Sequence, residues 1–129
     1  MSLPIANKLL FPQEIEVWYV LPAIRKAFAI EMIKQGNSQK KIAQLMGITE
    51  AAISQYKSDK RAHIPLTDEI KKEVEKSAKD ITTQEQMFSE MMKIEQNMKQ
   101  SGFFCQIHRS KSWTPNGCEK MCSYGGMHG

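Results

Sequence analysis

Apolar residues recur at Val17, Leu21, Ile24, Phe28 and Met32, at spacings of three and four. That is the one-sided period of an amphipathic helix, and it predicts a helix over Glu14 to Gln35. Pro22 falls inside the pattern, so a kink or break is expected between a short lead-in turn and the main helix. Gly36 is placed to end it as a left-handed cap. Trp18 and Tyr19 are expected to pack against the same core. Further on, Ile70, Val74, Ala78 and Ile81 share the face of a helix spanning Thr67 to Ile81, with Lys71, Lys72, Glu73, Glu75, Lys76 and Lys79 over the remainder. A polar break at Thr82-Thr83 then restarts a helix, with Glu85 near the position of a capping-box partner. Met87, Met91, Ile94 and Met98 follow at 4-3-4 spacing, with Phe88 beside them. This short heptad-like stripe suits either the chain's own core or a dimer seam.

Between these helices lies SQKKIAQLMGITEAAISQYKSDKR. Two short helices that cross at close range need a small residue at the contact, a glycine in the turn and apolar residues on the facing sides. Ala43, Gly47 and Ile53 stand at those places, with Ile42, Leu45, Ile48 and Tyr56 completing the buried faces. Ser38 and Thr49 are suitable N-caps for the two helices. The pattern predicts a helix-turn-helix over Ser38 to Tyr56.

Charge gives that motif a partner. The chain has a net charge of +4. Lys34, Lys40, Lys41, Lys57, Lys60 and Arg61 against Glu50 and Asp59 make the same surplus within residues 34–61 alone. Double-stranded DNA demands such clustering, because phosphate neutralisation dominates non-specific affinity. Helix geometry aims Glu50, Ala51, Ser54 and Gln55 at base edges: Gln55 pairs with adenine, Glu50 accepts from cytosine and Ala51 meets a thymine methyl. Lys40, Lys41, Thr49, Lys57, Lys60 and Arg61 are the expected phosphate contacts, Thr49 through its hydroxyl and the neighbouring backbone amides.

With these residues in place, the stretch EIEVWYVLPAIRKAFAIEMIKQGNSQKKIAQLMGITEAAISQYKSDKR resembles the archaeal branch of the Cro/lambda-repressor-like (XRE-type) helix-turn-helix transcriptional regulators. The resemblance spans Glu14 to Arg61 and implies a compact helical fold, a sequence-specific DNA site and a homodimer. Relatives in that branch commonly carry a cysteine-rich C-terminal segment, to which SGFFCQIH and CEKMC are similar. They often have a further cysteine pair upstream, where this chain reads MMKIEQNMKQ.

The last 28 residues, from Gly102, show no sustained apolar period, and are expected to be flexible or held by a metal. All three cysteines lie here. Cys105-x2-His108 and Cys118-x3-Cys122 offer two close pairs of soft or borderline ligands, suited to a zinc ion or, through the thiolates, an iron–sulfur cluster. Phe103, Phe104 and Trp113 are candidates for an apolar cover, and His128 for a substitute donor. A thiol–disulfide switch joining Cys105 to Cys118 or Cys122, and a tail without ligand, remain open alternatives.

The expected architecture is all-α: a compact bundle with the helix-turn-helix (1–66), a helical linker and dimerisation region (67–101) and a small Cys/His tail (102–129). No apolar run approaches the roughly 18 residues of a membrane span, and no secretory signal is evident, so a cytoplasmic protein is expected. The chain has no glycine-rich phosphate loop, no metal-hydrolase spacing and no paired carboxylates beside a histidine. An enzyme or a small-molecule substrate is therefore not expected. The rival to a regulator is an antitoxin-like interaction module with a thiol switch.

Overall fold

The computed structural model describes residues 8–58 and 64–118. The fold is all-α, with no strand among the described residues. The chain enters through α1 (Pro12–Ile15), passes through one π-helical turn (Glu16–Val20) and continues as α2 (Leu21–Lys34). Next come α3 (Gln39–Met46), α4 (Glu50–Ser58), α5 (Asp68–Ala78), α6 (Gln84–Gln100) and α7 (Phe103–Lys111).

Pro22 explains the wide turn. It sits in the first turn of α2, where its fixed φ suits the helix but its missing N–H interrupts the ladder continued from the preceding turn. The chain accommodates the ring by widening the preceding turn, in which the Leu21 N–H reaches back five residues to the Glu16 carbonyl. The expected break is therefore a π-turn, and it corrects the reading of the apolar face. The extra residue rotates the segment before it, so Ile15 and Val20 enter the core while Val17 and Trp18 remain 58% and 53% exposed. Tyr19 is partly buried against the core. From Val20 onward the expected face holds: Ile24, Phe28 and Met32 are buried.

Helices α3, α5 and α6 each start on a side-chain cap. Ser38 Oγ accepts from the Lys41 N–H at 3.1 Å, and Thr67 Oγ1 from Ile70 at 3.2 Å. At α6, Thr83 Oγ1 accepts from Gln86 N–H, while Gln86 Oε1 accepts from the Thr83 and Thr82 amides. Gln86, rather than Glu85, thus completes the capping box, because the partner must stand three residues beyond the cap.

One hydrophobic core draws on every helix. It runs from Leu10 and Ile15 through Phe28, Ile42 and Ile53 to Val74, Met98, Phe104 and Ile107. Ile70, Val74, Ala78 and Ile81 are all buried, as their spacing predicts. The stripe that suits a dimer seam also lies here: Met87, Ile94 and Met98 are buried inside the chain and Met91 packs on them. A seam on α6 would have to use other side chains, of which Phe88 and Met92 are exposed.

The segment after Gly102 corrects a second expectation. It forms α7, with Phe104 and Ile107 buried. Those two residues stand three apart, so they make a one-sided apolar face, but one turn long. The signal is too short to read without the partner that covers it. α7 packs on α6 and α1, and the chain after it is tied to the lead-in: Ser112 Oγ accepts from the Leu10 N–H at 2.8 Å, and the Trp113 N–H donates to the Lys8 carbonyl at 2.8 Å.

Candidate nucleic-acid interface

α3 and α4 pack directly on each other and both pack on α2. Ala43 is buried at the crossing, and Ile42, Leu45 and Ile53 fill the core around it. Ile48 and Met46 close the turn from partly buried positions. Gly47 ends α3 at φ +68°, a left-handed conformation that L side chains adopt only with strain. Its amide donates back to the Gln44 carbonyl, and that of Ile48 to Ala43. The sequence-predicted helix-turn-helix is therefore present in geometry as well as in pattern.

The turn is held from outside the motif. The Gln84 amide nitrogen, at the start of α6, donates to the Gln44 carbonyl at 3.5 Å. A Cβ built on Gly47 would stand 2.9 Å from that nitrogen. No spacing rule could have revealed this contact, because the partners lie 40 residues apart.

α4 begins immediately after Thr49, whose Oγ1 accepts from the Ala52 N–H at 3.1 Å. As an acceptor there, the hydroxyl keeps its own hydrogen to donate. Glu50, Ala51, Ser54 and Gln55 are all exposed, while Ile53 points inward. The four residues expected to read bases thus share the solvent side of one helix. Lys40 and Lys41 are exposed in the first turn of α3, and Lys57 is exposed in the last turn of α4. Lys60 and Arg61, the other expected phosphate contacts, lie outside the described residues.

The candidate metal ligands separate differently. Cys105 and His108 stand one turn apart on α7, both half-buried. His108 Nε2 lies 2.7 Å from the Leu10 carbonyl oxygen. A carbonyl can only accept, so Nε2 carries a hydrogen, which leaves Nδ1 as the ring nitrogen able to bind a metal. A metal-bound imidazole is commonly oriented in this way by a carbonyl on its other nitrogen. Cys118 follows the short turn after Trp113, whereas Cys122 and His128 lie outside the described residues. Among the described residues, no three of His, Cys, Asp or Glu gather into a ligand set, and Cys105 and Cys118 are free of disulfide bonding. Phe104 is buried in the main core and Phe103 packs against it, while Trp113 is exposed. Two of the three residues of the expected apolar cover are therefore committed to the fold. No helix among the described residues is long and apolar enough to cross a membrane.

No family model, curated protein or solved structure matches the chain.

Proposed function

We propose that this protein is a sequence-specific DNA-binding transcriptional regulator of the XRE type, acting as a homodimer in the cytoplasm. One observation carries the reading: α4 presents Glu50, Ala51, Ser54 and Gln55 together on its exposed side, beginning at a Thr49 cap and flanked by Lys40, Lys41 and Lys57. A helix N-terminus bearing short polar side chains suits the major groove, and the lysines suit the phosphates on either side. Two copies would read two half-sites about one helical turn apart. Selection of binding sequences from random duplex DNA tests this. A palindromic consensus is expected, with log affinity falling linearly in log salt concentration. Recovery of no consensus, together with binding indifferent to salt, would remove the reading and favour an antitoxin-like interaction module.

The C-terminal set Cys105, His108, Cys118 and Cys122 is assigned to a zinc ion or iron–sulfur cluster. The support is ligand chemistry and a His108 Nδ1 able to bind a metal. Metal and sulfide analysis of protein purified without oxygen or chelators distinguishes zinc, iron–sulfur and an unliganded thiol pair.

A further inference from the structure

Where the π-turn meets α6, two carboxyl groups converge on one ammonium. Lys99 Nζ lies 3.4 Å from Glu16 Oε2 and 3.8 Å from Glu95 Oε1. It also stands 5.9 Å from the centre of the Phe104 ring, which belongs to the buried core. Glu95 is 7% exposed, and its Oε2 is buried without a hydrogen-bond partner among the heavy-atom contacts. A buried carboxylate oxygen left unpaired is costly, the more so with a second carboxylate beside it. A proton on Oε2 removes that cost, because it converts the orphan acceptor into a donor beside Glu16.

We propose that Glu95 and Glu16 share one proton, with Glu95 Oε2–H donating to the Glu16 carboxylate, and that this proton latches the lead-in segment onto α6. On release, the proton passes to solvent and leaves two carboxylates repelling each other across Lys99. Burial first, then the hydrogen bond to Glu16, raises the Glu95 carboxyl to about 7, with Lys99 pulling the other way. The latch thus opens near neutral pH.

Other charged groups stand near α6. Glu73 of α5 is engaged by the Asn97 side chain, two residues from Lys99. α7 brings the Phe104 ring to Lys99. Neither Arg25 and Lys26 of α2 nor Lys40 and Lys41 of α3 acts on Glu95 as Glu16 and Lys99 do.

Carboxyl carbon NMR of the full chain tests the proposal directly. Glu95 is expected to titrate about two pH units above an exposed glutamate, with the Glu16 signal moving in the same step. Amide exchange across residues 16–20, corrected for its intrinsic pH dependence, should accelerate about tenfold between pH 5.5 and pH 8. Glu95→Gln supplies a permanent N–H donor, so the variant should keep slow exchange at pH 8. The variant and the unaltered chain share every histidine, so the comparison isolates Glu95. Titration of both carboxyls in the ordinary range, or an unchanged pH profile in Glu95→Gln, would overturn the latch. Should the variant fail to fold, the carboxyl titration of the unaltered chain decides alone.

Discussion

His108 Nε2 stands 2.7 Å from the backbone oxygen of Leu10, closing a link between residues 98 apart in sequence. Removing the ring leaves a part-buried carbonyl whose next neighbour is Ser112 Oγ at 3.3 Å. His108→Ala is expected to cost about 1 kcal/mol beyond the loss of any metal site. Urea unfolding in the presence of a chelator measures that cost. Unchanged stability there would mean the His108–Leu10 bond contributes nothing to the fold.

Ser112 is the neighbouring fastener, and it is buried. Its Oγ accepts from the Leu10 N–H and lies within hydrogen-bond reach of the Lys8, Leu10 and Trp113 carbonyls. Ser112→Ala removes the acceptor of the Leu10 amide at a buried site. The expected loss is about 1–3 kcal/mol, accompanied by faster amide exchange at Leu10 and Trp113. A substitution at an exposed serine such as Ser54 should stay within about 0.5 kcal/mol, which makes it the internal control.

These two fasteners show where legibility ended. The helix-turn-helix was readable because its constraints are local: Ala43 at a crossing, Gly47 in a turn, Ser38 and Thr49 at caps. The α5 face at Ile70, Val74 and Ala78 was readable for the same reason. Val17 and Trp18 were misplaced because one π-turn shifts helical phase, and a proline announces a break without saying which way the chain rotates. α7 was hidden because its two buried residues make sense only once it packs on α6 and α1, and α1 lies some ninety residues away. The Glu16–Glu95–Lys99 cluster was hidden too, since each residue alone looks like an ordinary charge on a solvated helix face.

Stability should fall with rising pH on the alkaline side of the carboxyl range. The folded-state value of Glu95 lies above its ordinary 4.5, at about 7. Its contribution is therefore complete below about pH 4.5 and is lost as pH rises towards 7, because the folded chain holds a proton the unfolded chain has released. The slope approaches about 1.4 kcal/mol per pH unit for one proton. Glu90 is shifted the other way, its carboxyl lowered chiefly by the hydrogen bond from Lys93. Any effect of that exposed pair appears only as pH falls through the carboxyl range, in a separate window. Thermal unfolding from pH 5 to pH 8 checks the sign, and a rising midpoint would contradict it.

Within the DNA-binding reading, side chains on opposite sides of α4 should fail differently. Gln55→Ala is expected to relax preference at one base position by about 1–3 kcal/mol while leaving random duplex affinity unchanged. Lys57→Ala, at an exposed position in the last turn, should weaken all sequences alike and reduce the salt slope by about 1. Titrations of a selected site and a scrambled duplex at several salt concentrations separate the two. Equal losses on both duplexes for both variants would break the division between base and phosphate contacts.

α6 offers the sharpest contrast between packing and assembly. Met98 is fully buried, whereas Phe88 lies on the solvent side of the same helix. If the methionine stripe served mainly to join two chains, Met98→Ala would shift the monomer–dimer equilibrium and leave the monomer's stability nearly intact. Burial dictates the opposite. Truncating a buried methionine removes its contacts and leaves a cavity, at a cost of about 2–5 kcal/mol to each chain. Phe88→Ala should instead change monomer stability by no more than about 0.5 kcal/mol. Any dimer that uses the outer face of α6 should weaken with Phe88→Ala, because an exposed aromatic ring contributes chiefly when a partner covers it. Sedimentation and urea unfolding of both variants, run at matched concentrations, decide between the two roles. A Met98→Ala chain as stable as the original but unable to dimerise would return the stripe to the interface.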